Sequence, residues 1–313
     1  LIICFAYGFN GLQSFNMSSA LEYYIPNYSQ THVPMIVGII LAVAFAAVIW
    51  GGAHRIGVIT SFIVPVMAVV YILIGIYTML TNLSSIPHVF GMIFENAFSA
   101  RSFAGGFAGS AVMIGIKRGL FSNEAGMGTS TFAHTSSRCR EPVVMGFWAA
   151  LEVFIDTVLL CTLTALVILC TDADKLNFSA ADTVISAFTI GFESAAGKLS
   201  FLSKFSTYFA NFGAIFLAIS NSVFAFASVI GWYFYGERSC YFLQKYSSKR
   251  LLPYYKFLYI AAAFFGAVIS TDIVWEFADL FTFLMLIPNL SAILLLSYQI
   301  KPFLTLNSSN SDT

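Results

Sequence analysis

Val153-Phe-Ile-Asp-Thr-Val-Leu-Leu-Cys-Thr-Leu-Thr-Ala-Leu-Val-Ile-Leu169 is an apolar run broken by a single charge, Asp156, and it decides the solvent of this chain. Ile287–Leu296 is a second such run. Around them the chain is 58% hydrophobic and only 10% charged, with a mean hydropathy of +0.83. Soluble domains carry roughly 25% charged residues. A surface this poor in charge cannot be hydrated, so the implied solvent is lipid. In lipid each backbone N–H and C=O must find a partner within the protein, which leaves helices or closed barrels. Barrel strands alternate apolar and polar residues over about ten positions. Unbroken runs instead favour helices of about 20 residues.

Eight apolar segments follow from this reading: Leu1–Leu21, Val33–Trp50, Gly57–Leu80, Phe103–Gly119, Val143–Cys170, Tyr208–Tyr235, Phe257–Ser270 and Val274–Ser297. The expected class is an all-α polytopic membrane bundle, with residues 1–300 as one transmembrane domain and 301–313 as a short polar tail. The chain opens on Leu1 inside an apolar run, without a charged region before it or a cleavage site after it, so a signal peptide is not expected. It reads as a helix cut open, and the sequence as a fragment. Five cysteines, Cys4, Cys139, Cys161, Cys170 and Cys240, lack metal-ligand spacing and mostly sit in or beside apolar runs, which reads as small buried hydrophobes. The net charge is zero and no basic stretch points to nucleic acid.

Lys and Arg set the orientation. With the first segment running outward, the inner loops hold Arg55, Arg138, Arg140, Arg238, Lys245, Lys249, Arg250, Lys256 and Lys301, against Arg101, Lys175, Lys198 and Lys204 outside. Basic excess marks the cytoplasmic side, so a cytoplasmic C-terminus is expected.

The fourth segment is short and holds Gly105, Gly106, Gly109, Gly115 and Gly119, and the polar stretch Leu120–Gly128 follows. Two readings stand. Gly105-x-x-x-Gly109 and Gly115-x-x-x-Gly119 can be packing faces ahead of a loop. Alternatively, Gly119–Gly128 is a break between two half-helices, whose free backbone groups can hold ions and substrate.

The string Lys117-Arg-Gly-Leu-Phe-Ser-Asn-Glu-Ala-Gly-Met-Gly128 resembles the most distinctive motif of the alanine or glycine:cation symporter family. Three further stretches agree with that family, in order: Phe154-Ile-Asp-Thr157 with Cys161-Thr-Leu-Thr-Ala-Leu166; Phe224-Ala-Phe226 with Gly231-Trp-Tyr-Phe-Tyr-Gly-Glu237; and Val274-Trp-Glu-Phe-Ala-Asp279 with Ile287-Pro-Asn-Leu290. The resemblance implies a LeuT-type fold of two inverted five-helix repeats. On that fold the chain carries the third to tenth core helices and is incomplete at its N-terminus. It also implies a plasma-membrane symporter that carries sodium, or a proton, together with a small neutral amino acid such as alanine or glycine, without a resident cofactor.

The resemblance distributes roles residue by residue. Gln13, in the polar stretch Gly8–Asn16, faces the substrate, although Asn16 stands three residues after it where the family more often places asparagine two after. Phe121 offers an apolar wall and Asn123 a donor and an acceptor. Glu124 can hold a cation or pair with Lys117 or Arg118, the latter being the usual fate of a buried charge. Ser228 is a sodium ligand, and Ala227 stands where the family has another hydroxyl. Trp232 shares a helical face with Ser228 and lies against the substrate, or else belongs to an aromatic belt with Tyr233 and Tyr235. Asp156 reads as structural or gating, and Asn289 after Pro288 as a partner for kinked backbone.

Two other classes compete. A membrane-embedded enzyme needs convergent His, Asp, Ser or Cys, whereas His32, His54, His88 and His134 lie scattered over different loops. A channel needs a repeated pore element or a charged ring, and neither is visible.

Overall fold

A computed structural model describes residues 1–21, 24–25, 27–98, 111–124, 126–135, 137–139, 141–176, 180–198, 206–246, 250–269 and 271–299. The tail 301–313, the glycines Gly105, Gly106 and Gly109, and the basic residues Arg101, Arg140, Lys204, Lys249 and Lys301 lie outside the described residues.

Every longer element among the described residues is helical. Helix α1 joins a π-helical stretch, Cys4–Phe9, to an α-helix, Asn10–Ser19. It is followed by α2 (Val33–Ile49), α3 (Gly52–Thr81), α4 (Ile86–Phe98), α5 (Ala111–Asn123) and the short α6 (Ser130–His134). Helix α7 (Pro142–Cys170) contains a π-helical section, Phe154–Leu160, around Asp156. Then come α8 (Ala180–Lys198), α9 (Ser206–Gln244), α10 (Leu252–Gly266) and α11 (Thr271–Leu296). Among the described residues four stretches, Thr60–Thr81, Pro142–Cys170, Ile215–Gln244 and Ile273–Gln299, are long and apolar enough to cross a membrane, and α2 is a shorter apolar helix.

The structure departs from the sequence reading in three places. Stretches read as loops contain α4 and α8, because each mixes polar side chains such as Glu95, Asn96, Asp182 and Glu193 into its apolar face and leaves no unbroken run. Helix α9 runs past Tyr235 to Gln244, since polar residues do not end a helix that other helices flank. The interruption after the fourth segment begins at Glu124, not Gly119. Gly119 is still helical, whereas Glu124, Gly126 and Gly128 take φ of +52°, +80° and +78° and turn the chain out of the helix. A Cβ on Gly115 or Gly119 would meet open space, so the second GxxxG pattern is no packing face among the described residues.

Close packing of small residues occurs instead between α1 and α10. A Cβ on Gly266 would lie 2.5 Å from the Gly11 Cα, so the two backbones cross almost in contact. Polar links hold that crossing: Asn10 Nδ2 donates to the Tyr259 carbonyl at 2.7 Å, and Ser18 Oγ to the Ala267 carbonyl at 3.0 Å. A large apolar core built on Phe5, Phe9, Phe45, Val229, Tyr233, Tyr259 and Met285 joins α1, α2, α9, α10 and α11. A smaller one, built on Val167, Ile185, Phe188 and Leu217, joins α7, α8 and α9, with Tyr71 of α3 packed against it. The larger core carries the interrupted helix on its edge through Phe121 and Met127.

Candidate functional site

The site is built where α5 ends. The last turn of α5 leaves its C-terminal carbonyls without helical partners, and the chain turns through Glu124–Gly128 before α6 starts at Ser130. Within the turn the Met127 amide donates to the Glu124 carbonyl at 3.1 Å.

Four rings line the last turn of α5. Phe9 of α1 stands edge-on to Phe121 and tilted against Trp232 of α9, each at 5.0 Å between centroids, and Phe121 meets Trp275 of α11 at 5.5 Å. Aromatic pairs at such separations attract one another beyond their buried area. Trp232 is 8% exposed. Its Nε1 donates to Glu124 Oε1 at 2.6 Å. Trp232 therefore lies inside the bundle and does not belong to an interfacial belt with Tyr235. Tyr233, next to Trp232 on α9, is buried and donates to Glu237 at 3.2 Å.

Glu124 does not pair with Lys117 or Arg118 as the commoner reading of a buried charge had it. Lys117 is exposed. Arg118 turns to α11, where Nη1 and Nη2 donate to the two oxygens of Asp279 at 3.1 and 3.3 Å, and its guanidinium lies 3.8 Å from the centre of the Trp275 ring. The physical reason is shape: a planar fork matches a carboxylate and an aromatic face at once, and Asp279 and Trp275, four apart on α11, supply both. Glu124 keeps an indole donor and no ion pair among the described residues.

Two further side chains hold the interruption. Asn289 of α11 donates from Nδ2 to the Gly126 carbonyl at 2.7 Å. The sequence reading gave Asn289 to kinked backbone; the backbone it serves belongs to the interrupted helix and not to its own proline kink. Ser122 Oγ donates to Asp156 Oδ2 at 2.8 Å, which ties α5 to the π-helical section of α7.

Gln13 lies one helical turn beyond Phe9 on α1, and its Oε1 accepts from Asn16 Nδ2 at 3.1 Å, so the two amides form a pair. Ala227 is buried and Ser228 half-buried one turn before Trp232 on α9. The structure thus joins Glu124 directly to Trp232, and Phe121 to Trp232 through the Phe9 ring. It places Gln13 on the Phe9 side and Ser228 on the Trp232 side of the same wall. Asn123 closes α5 at the start of the turn. Sequence reading missed Phe9, Trp275 and Asp279. The signal for Phe9 was its spacing of four from Gln13, and for the other two their spacing of four in the motif Val274–Asp279.

Among the described residues an interrupted helix thus stands against an aromatic wall inside a helical bundle, the kind of interruption whose free backbone groups can hold ions and substrate. The chain belongs to the sodium:alanine symporter family, whose family model matches residues 1–308. Among curated relatives, "Probable sodium/glutamine symporter GlnT" of Bacillus subtilis is 37% identical over 297 residues, 95% of this chain and 57% of that protein. The amino-acid carrier protein AlsT of the same organism is 34% identical over 298 residues, 95% of this chain and 58% of AlsT. The sodium/alanine symporter AgcS of Methanococcus maripaludis is 36% identical over 270 residues, 84% of this chain and 54% of AgcS. The chain therefore spans a little over half the length of the relatives it matches.

Proposed function

We propose that this chain forms the helical body of a secondary carrier that moves a small neutral amino acid, alanine or glycine, across the plasma membrane in symport with sodium. The observation that carries the reading is the interruption of the helix between Asn123 and Ser130 against the wall of Phe9, Phe121, Trp232 and Trp275. The names of the relatives support the choice of sodium and of alanine. On this reading the wall limits side-chain size, and the C-terminal end of α5 faces a cationic group, as helix C-termini favour positive charge. Gln13, Asn123 and Trp232 bind the amino acid, and Ser228 contributes an oxygen to the ion. A LeuT-type arrangement of inverted repeats, with the C-terminus in the cytoplasm, accommodates the order of the helices and the count of basic residues.

Proton coupling is the second reading. Two observations favour it: Ala227 offers no side-chain oxygen to an ion, and Glu124 is a carboxylate at the site without an ion pair among the described residues. One experiment separates the two. The full-length protein that contains this chain is reconstituted in vesicles, and uptake of labelled alanine and glycine is measured under an inward sodium gradient and, separately, an inward proton gradient. Uptake driven by sodium alone supports symport with sodium; uptake driven by protons alone reassigns the coupling; no uptake under either rejects the carrier reading.

A further inference from the structure

The geometry points to Asn289 as a positioning residue for the substrate site: it fixes the turn at Glu124–Gly128 without itself meeting substrate. The inference rests on the carrier reading for its purpose, although its structural half stands alone.

A broken helix trades hydrogen bonds for accessible backbone groups, and the turn that results has few internal constraints. Here the Met127–Glu124 bond is one. Thr131 Oγ1, in the first turn of α6, takes the Gly128 carbonyl at 2.6 Å, and two further constraints come from other helices. From α9, Trp232 takes a carboxylate oxygen of Glu124. From α11, Asn289 takes the Gly126 carbonyl at 2.7 Å. That bond sets the direction of the Gly126 carbonyl and of the peptide plane that carries it. The apolar neighbours of Asn289 complete the grip: Leu286 and Leu290 lie three before and one after it, and their methyl groups would stand 3.2 and 3.3 Å from a Cβ on Gly126. Gly128 is matched to the same amide. A Cβ there would lie 2.5 Å from Asn289 Oδ1, and the φ of +78° is one that a side chain rarely adopts. Asn289 follows Pro288, which releases a helical hydrogen bond in α11. The amide is thus presented from a helix that is itself locally opened.

This makes separable expectations. Asn289→Leu keeps the shape of the side chain and removes the donor; Asn289→Ala removes both. Were volume the point, Leu would behave as the parent. Two measurements are made on the whole protein. Hydrogen–deuterium exchange follows the Met127 amide, with the α2 and α10 amides as an internal reference. Alanine uptake in vesicles gives KM and Vmax separately. In both variants Met127 should exchange at least fivefold faster with the reference amides unchanged. KM should rise about tenfold and Vmax stay within about twofold, the pattern of lost binding and not of lost protein. Gly128→Ala should reproduce both effects by pushing the amide away. Unchanged exchange at Met127, or acceleration spread equally over the reference helices, overturns the positioning role. So does faster exchange at Met127 with a parental KM. A parent without uptake would reject the carrier reading, and exchange alone would then decide whether Asn289 holds the turn.

Discussion

Replacing Trp232 by Phe and Glu124 by Gln, singly and together, measures how strongly α9 holds the interrupted helix. The indole N–H meets the carboxylate at 2.6 Å in a part of the bundle where Trp232 is 8% exposed. Hydrogen bonds between membrane helices average roughly 0.6 kcal/mol and reach about 1.7 kcal/mol. Bonds to charged groups run to about 1.5–3 kcal/mol. The short distance and the carboxylate acceptor place this pair near the overlap, at about 1.5 kcal/mol. Trp232→Phe also removes a ring that packs on Phe9, so its total cost should exceed the cost of the bond. A double-mutant cycle cancels that packing loss. Unfolding of each variant in mixed micelles with increasing SDS supplies the four free energies. The expected coupling is about 0.75 kcal/mol, half of the bond, because Gln still accepts from the indole and only the charge-assisted part of the bond is lost in that single variant. Additivity within about 0.3–0.5 kcal/mol, the behaviour of independent sites, would refute the claim that this contact anchors the turn.

The remaining expectations concern the site and its orientation. Gln13→Ala should weaken alanine binding more than about tenfold, the equivalent of a lost hydrogen bond to a charged partner, and Phe121→Ala should weaken it by removing the apolar wall; parental affinity in both would remove them from the pocket. Ala227→Ser should lower the sodium concentration for half-maximal uptake by adding an oxygen for a hard cation, and an unchanged value would mean that position 227 does not face the ion. Asp279→Asn should cost under about 1 kcal/mol in the same SDS unfolding, since the Arg118 and Asp279 side chains are 40% and 30% exposed and Trp275 still covers the guanidinium; a loss of several kcal/mol would show a buried strut in its place. Ser194→Cys and Ser247→Cys, in a background without other cysteines, should be labelled by an impermeant reagent from opposite sides of the membrane, and labelling of both from one side would overturn the orientation.

The helices that cross the bundle were legible because lipid demands long apolar runs, and α2, α3, α7, α9 and α11 follow from such runs directly. Helices α4 and α8 were not, because mixed faces look like loops to a search for unbroken hydrophobicity. The π-helical sections at Cys4–Phe9 and Phe154–Leu160 carry no sequence mark at all; one extra residue per turn is a tertiary outcome. Within the site, the glycine-rich motif announced the interruption but not its start, since Gly119 tolerates the helix and the non-glycine Glu124 leaves it with φ of +52°. Partner choice was the least legible feature. Charge alone would give Arg118 to Glu124, six residues away in sequence, yet the guanidinium found Asp279 and Trp275 on a helix more than 150 residues along the chain. Only the three-dimensional placement of α11 makes that choice, and with it leaves Glu124 to Trp232.

The central claim is that the amino acid sits beside the interrupted helix, against Phe121 and Trp232. Electron cryomicroscopy of the protein with saturating alanine and sodium, against the same preparation without alanine, tests it by difference density. The expected result is a feature the size of alanine in contact with Phe121, Trp232 and the backbone between Asn123 and Gly128. Density for alanine elsewhere in the bundle, with the surroundings of Phe121 and Trp232 unchanged, would contradict it.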